Sequence, residues 1–271
     1  MPIQTVRDPA DPRLAPFADL AGRERDAEGI VVEGEIAVAR ALEGHHPVSA
    51  LLLTPAHRAR LGARIPATLP VYEAEAALLR EVVGFRFHRG CVAVMPRPRS
   101  PSLARALGQE ARLVVVAEGL ADPLNLGALV RNARAFGADL VLHGGGADPW
   151  SRRAIRAAMG LGFSLPVAHA PALAEAVLEA RARLGPGART VAAVLGDDAV
   201  PLSRYRPAAA TVLLVGNEGA GLSASLRALA DDRVTIPLAP GVDSLNAAAA
   251  TAVLLWALHG RGAPDRGPSP G

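Results

Sequence analysis

The chain contains no lysine: its 29 basic residues are all arginine, set against 26 acidic ones for a formal net charge of +3. That absence excludes an ordinary P-loop nucleotide hydrolase, whose glycine-rich loop needs a lysine to reach the phosphates. It does not argue for nucleic acid, because so small a charge marks no electrostatic partner and an all-arginine set follows from gene composition as readily as from phosphate recognition. Cysteine occurs once, at Cys91. No intrachain disulfide can form, which fits a reducing compartment, and the lone thiol reads as a buried inert side chain rather than a nucleophile. Aromatic residues are 3% of the chain, too few to reveal a base-stacking platform. Apolar runs such as residues 113–116 and 212–215 fall far short of the roughly 20 residues that span a bilayer. The opening Met1-Pro2-Ile3-Gln4-Thr5-Val6-Arg7-Asp8 lacks the basic-then-apolar order of a secretory signal. The expectation is a cytoplasmic protein without a membrane segment.

At 271 residues, 50% hydrophobic and 20% charged, the chain is suited to burying the cores of two modest domains. Asp8-Pro9 and Asp11-Pro12 disfavour helix, so order is expected to begin near residue 14. From Gly29 the pattern reads strand (residues 30–34), helix to Leu42, strand (50–53), then short strand (69–72), helix (74–83) and strand (91–95). Prolines at positions 96, 98 and 101 disfavour both helix and central strand. Beyond them, continuous apolar runs at residues 113–116, 140–142, 191–195, 212–215 and 234–237 alternate with Ala/Leu-rich helical stretches. Runs too apolar to alternate suit strands buried on both faces of a parallel sheet. The expected layout is an N-terminal domain over residues 1–96, a linker over 97–110, an α/β domain over 111–260 and a disordered Gly/Pro/Arg-rich tail over 261–271.

Ligands of open parallel sheets bind beyond the carboxyl ends of the strands, which singles out three loops. The first runs from Glu118 to Gly127; Asp122-Pro123 and Asn125 offer turn and helix-cap chemistry, and Arg131 follows on the next helix. On a helix beginning near Asn125, that residue and Arg131 would suit a phosphate or ribose; the plainer alternative is a cap and a solvated arginine. The second, Val215-Gly216-Asn217-Glu218-Gly219-Ala220-Gly221-Leu222-Ser223, is rich in glycine yet lacks the dinucleotide fingerprint. Glu218 would repel a pyrophosphate but accept an arginine or a neutral or cationic ligand, unless the loop is a turn with no ligand. The third runs from Ile236 to Asn246, before an alanine-rich helix that Ser244 or Asn246 would cap. His143-Gly144-Gly145-Gly146 reads as a strand-end turn, and His45-His46, without cysteine or carboxylate at ligand spacing, as surface rather than metal site.

In this order and spacing the loops resemble the three motifs of the SpoU family, the 2′-O-methyltransferases of the SPOUT class: Asp-Pro-x-Asn-x-Gly…Arg, Gly-x-Glu-x-x-Gly-Leu and Ile-Pro…Ser-Leu-Asn. The resemblance covers residues 112–260. Residues 29–96, through Glu33-Gly34 and His88-Arg89-Gly90, also resemble the small ribosomal-protein-like substrate-binding α/β domain that often precedes this one. The resemblance implies a parallel-sheet α/β domain closed by a deep trefoil knot, whose loops hold S-adenosylmethionine. Here that carries over to Gly196, Gly216, Asn217, Glu218, Gly219, Ile236, Leu238, Leu245 and Asn246.

The implied reaction is methyl transfer to a ribose 2′-hydroxyl of structured RNA, ribosomal in preference to transfer RNA, by a homodimer that needs no metal. Arg131 then sits at the hydroxyl, Asn125 holds Arg131 or the ribose, Glu218 orients the first-motif groups, and Ser244 and Asn246 complete the site. Arg131 is expected to position rather than deprotonate, because a guanidinium almost never loses its proton. One departure is Arg156-Ala157-Ala158-Met159-Gly160, where the family often has Arg-x-Ser-x-Gly. The alternatives are a transfer-RNA 2′-O-methyltransferase and a knotted RNA-binding or resistance-type protein without turnover. A class I methyltransferase or an oxidoreductase would need a glycine fingerprint after its first strand, and none is present.

Overall fold

The computed structural model describes residues 3–18, 20, 29–84, 87, 89–196 and 198–259. Its packing forms two compact units, Met1–Arg99 with Asp148–Ser164, and Ser100–Ala147 with Leu165–Gly271. His88 and residues 261–271, expected as motif and tail, lie outside the described residues.

The first unit contains β1 (Gln4–Thr5), β2 (Gly29–Glu33), α1 (Glu35–Glu43), β3 (Ala50–Leu53), α2 (Pro55–Leu61), β4 (Val71–Glu73), α3 (Ala76–Val83) and β5 (Cys91–Pro96). They make a mixed sheet in the order β1-β4-β3-β5-β2. Because successive strand residues face opposite sides, Leu51 and Leu53 join one core with Val38 and Ala41 of α1, whereas Ala50 and Leu52 join another with Leu79 of α3 and Phe17. Cys91 is buried in the first core, and burial pushes its thiol up to about 12, so it is an inert thiol. Order begins earlier than residue 14, since β1 pairs with β4, an edge pairing too short to leave a periodic signal. His46 is half-buried rather than a surface residue: its ring lies edge-on to Trp150 and Phe163, and burial lowers its pKa.

The rest of the chain supplies α4 (Leu103–Ala106), β6 (Leu113–Glu118), α5 (Pro123–Ala135), β7 (Leu140–Gly144), α6 (Arg152–Ala157), β8 (Val167–His169), α7 (Leu173–Leu184), β9 (Ala188–Ala193), β10 (Val200–Pro201), β11 (Ala210–Val215), α8 (Ala224–Ala228), β12 (Asp232–Thr235) and α9 (Ala247–His259). In the second unit all strands are parallel, in the order β10-β12-β9-β11-β6-β7-β8. β11, buried at every position, lies between β9 and β6. Since β7 and β8 extend the sheet from one side of β6 and β11, β9, β12 and β10 from the other, the strand order turns between β6 and β11, the switch point where such sheets take ligands. The loops after these two strands are the first and second motif loops. Part of the expected linker is structured: Ser102 caps α4, and Leu107 is buried in the second unit's core.

The α/β domain expected over residues 111–260 is interrupted, because Asp148–Ser164 packs as part of the first unit. Ile155 and Phe163 enter the core that holds Val38 and Leu53. Glu33, only 4% exposed, is faced by Arg152 at 3.6 Å and Arg156 at 3.5 Å, and Arg97 donates two hydrogen bonds to Asp148 (3.0 and 2.8 Å). A buried carboxylate needs such cations.

Candidate active site

The first motif loop turns into α5 at Pro123, and Asp122 caps the helix by accepting from the Leu124 N–H at 3.0 Å. Pro at the first helical position costs no hydrogen bond, so the helix starts before Asn125, whose side chain is released from the capping role. Its Nδ2 donates to Glu218 Oε1 at 2.8 Å, and its Oδ1 accepts from Asn246 Nδ2 at 2.9 Å. Asn246 Oδ1 in turn caps α9, accepting from Ala248 N–H (2.9 Å) and Ala249 N–H (3.4 Å). One side chain from each motif loop therefore forms a single hydrogen-bonded chain, Asn246 to Asn125 to Glu218.

Glu218 Oε2 also accepts from the Ala121 N–H at 3.4 Å. Burial acts to raise the Glu218 pKa, but the hydrogen bonds from Asn125, its own backbone and Ala121 outweigh it, and the carboxyl is held below its ordinary value. It stays ionised at neutral pH.

Asn217 builds the glycine loop: Oδ1 accepts from the Gly219 and Ala220 N–H groups, each at 2.9 Å, and Nδ2 donates to the Gly119 carbonyl at 2.7 Å. Its backbone exchanges two hydrogen bonds with Gly221. A Cβ at Gly216 would lie 2.3 Å from the Gly221 carbonyl carbon. Glycine is thus required at 216 for the loop to fold back on itself, a packing reason that ligand approach alone does not supply.

A cavity of about 300 Å³ opens at the ends of β9, β11 and β12, against α9. Of the residues expected at the cofactor, Gly216, Asn217, Glu218, Gly219, Ile236, Leu238 and Leu245 line it, as does Ser244. Gly196 and Asn246 do not: Gly196 turns past the end of β9 at φ 134°, and Asn246 faces Asn125. Unforeseen lining residues include Leu195, Arg227, Ala250 and Leu254. Strand-end position marked Leu195, but nothing local marked Arg227. Arg131 is exposed on α5, away from this lining, and its guanidinium has no ion pair or hydrogen bond among the described residues. Of the two roles expected of Asn125, holding Arg131 or the ribose, the contact with Arg131 is not formed. Six residues at about 100° each leave the two side chains about 120° apart around the helix.

A second cavity, about 420 Å³, lies within the first unit and gathers the remaining motifs: Glu33, Gly34, His57, Arg89, Arg156 and Met159 line it. Gly34 has φ 88°, and a Cβ there would press on the Arg89 side chain at 3.2 Å; one on Gly90 would lie 2.3 Å from His57 Cε1. These glycines let the arginine and histidine close over the start of α1.

Residues 112–256 match the SpoU rRNA Methylase family model. The chain belongs to this family. The SpoU chain is 36% identical over 265 residues to an uncharacterized tRNA/rRNA methyltransferase of Mycobacterium tuberculosis, covering 94% of this chain and 91% of that one. It is 38% identical over 176 residues to the 23S rRNA (uridine(2479)-2′-O)-methyltransferase of Streptomyces viridochromogenes, covering 63% of this chain and 60% of that one. The crystal structure of an AdoMet-bound rRNA methyltransferase from Sinorhizobium meliloti matches it with a TM-score of 0.79 at 27% identity, over 96% of this chain and 98% of that one. The parallel-sheet α/β fold of the SpoU domain is that of SPOUT methyltransferases.

Proposed function

We propose that this protein is an S-adenosylmethionine-dependent methyltransferase acting on a ribose 2′-hydroxyl of structured RNA, ribosomal RNA in preference to transfer RNA. The observation that carries the reading is the chain Asn246, Asn125, Glu218, which joins all three SpoU motifs at the rim of an apolar cavity. The Streptomyces relative, named for 2′-O-methylation of 23S rRNA, and the AdoMet-bound Sinorhizobium structure support it.

The residues present fit that cofactor. The cavity is at the lower end of the roughly 300–1,000 Å³ of small-molecule sites, and its aliphatic walls suit an adenosine. The ionised Glu218 on its lining favours a cationic ligand over a pyrophosphate. Gly216, Asn217, Gly219, Ile236, Leu238 and Leu245 would hold it, through backbone groups and apolar contact. When bound, the cofactor supplies a methyl group activated by its sulfonium. The chain's part is alignment: the asparagine-glutamate chain fixes the first motif loop, Ser244 sits on the cavity wall, and Arg131 binds and orients the incoming 2′-hydroxyl. The hydroxyl proton then leaves to water, because an arginine donates and does not accept.

The family fold supports a deep trefoil knot, with Gly216, Ile236 and Leu245 on its loops. Ala249, Val253 and Trp256 form an exposed stripe at helical spacing on α9, with Trp256 57% exposed, which supports a homodimer covering that face. The exposed Arg89, which lines the first unit's cavity and has no side-chain hydrogen bond or ion pair among the described residues, supports an RNA-binding role for that unit. The lone buried cysteine is in keeping with a cytoplasmic location.

The test is transfer of tritiated methyl from S-adenosylmethionine to purified ribosomal and transfer RNA, followed by alkaline hydrolysis. Ribose 2′-O-methylation blocks strand cleavage, so label is expected in alkali-stable dinucleotides from rRNA. Label in mononucleotides would mean base methylation and sink the reading. Label confined to tRNA would reverse the RNA preference, and cofactor binding without transfer would support the non-catalytic alternative.

A further inference from the structure

Among the described residues that line the cofactor cavity, two carry charge, Glu218 and Arg227. Glu218 is already committed to Asn125 and to the Ala121 N–H. Arg227 is not. It sits on α8, whose orientation is set by Ser223 capping its start and by Leu226 buried in the core. The guanidinium is exposed and has no ion pair or side-chain hydrogen bond among the described residues. It is a cation held at the wall of an otherwise mostly aliphatic cavity, with no carboxylate of the described chain answering it.

S-adenosylmethionine carries two positive groups, its sulfonium and its ammonium, and a single anion, its α-carboxylate. We propose that Arg227 binds that carboxylate, so that the cavity selects nucleosides bearing an amino-acid tail. A guanidinium fork matches a carboxylate in a charge-assisted contact, whereas adenosine alone offers it no opposite charge. The inference rests on the cofactor reading above and deepens it by assigning the tail end of the ligand. No alternating pattern marked this position, because α8 is a five-residue helix whose arginine reads as ordinary surface.

Calorimetry with two thioether nucleosides separates the possibilities: S-adenosylhomocysteine, which has the amino-acid tail, and 5′-methylthioadenosine, which lacks it. With the full chain, Arg227→Ala should weaken S-adenosylhomocysteine roughly tenfold or more, the cost of one charge-assisted hydrogen-bonded contact, and leave 5′-methylthioadenosine within about twofold. Arg227→Lys should recover part of the loss, since the point charge remains. Raising the salt should weaken wild-type binding of S-adenosylhomocysteine and have little effect on the alanine variant. Equal losses for both ligands, or no loss for either, would overturn the assignment while leaving the cofactor reading intact. A wild-type chain that binds neither ligand would overturn the cofactor reading and this inference with it.

Discussion

Asn246 and Asn125 share a hydrogen bond of 2.9 Å across 121 positions of sequence, with the Asn246 amide donating to the Asn125 carbonyl oxygen. Each side chain has a second duty, Asn246 at the start of α9 and Asn125 on Glu218, so neither can turn without breaking both.

This coupling separates stability from activity in two substitutions. Asn246→Asp keeps the capping oxygen but sets a second carboxylate oxygen against the Asn125 acceptor. Its urea midpoint should stay near the wild-type value while methyl transfer falls roughly tenfold or more, as when a polar pair is left mismatched. Asn246→Ala loses the cap as well and should cost about 1 kcal/mol in unfolding free energy. A fully active aspartate variant would show that the contact with Asn125 does not matter.

Arg131→Ala should lower transfer by roughly 10²–10³-fold, in line with removal of one donor at a reacting centre. S-adenosylhomocysteine affinity, measured on the same preparation, should be nearly unchanged, because Arg131 lies outside the cavity lining. Collapse of cofactor binding in this variant would contradict its assignment to the RNA side.

Glu218 is held below its ordinary carboxyl pKa, so its hydrogen bonds contribute stability that is present above the unfolded-state value and is lost as pH falls through the lower folded-state value. The difference in unfolding free energy between wild type and Glu218→Gln should therefore be flat from neutral pH down to the ordinary carboxylate range, then shrink with further acid. A difference that grows on acidification would reverse the sign argued here.

The glycine loop predicts a contrast between neighbours. Gly216→Ala should destabilise by about 1–3 kcal/mol, the usual range for overpacking, because its Cβ would meet backbone at 2.3 Å. At Gly219 the nearest atom to a new Cβ is Asn217 Oδ1 at 3.6 Å, so Gly219→Ala should be tolerated. Thermal unfolding of both variants decides it, and equal losses would mean that Gly216 is not specially crowded.

The strands of the parallel sheet and the three motif loops are legible in the residue pattern alone. Strands buried on both faces must be nearly continuous in apolar residues, and each motif is contiguous, so both are local signals. Which partners those residues take is set by the folded chain. Asp122 rather than Asn125 caps α5 because Pro123 opens the helix early, and Asn125 is then free for Glu218 and Asn246. The strand order set the first two loops side by side, the burial of Ile155 and Phe163 drew Asp148–Ser164 into the first unit, and the packing of α8 set Arg227 on the cavity wall. Periodicity reports which face of an element is apolar, whereas the identity of a partner 90 or more positions away depends on how the elements pack.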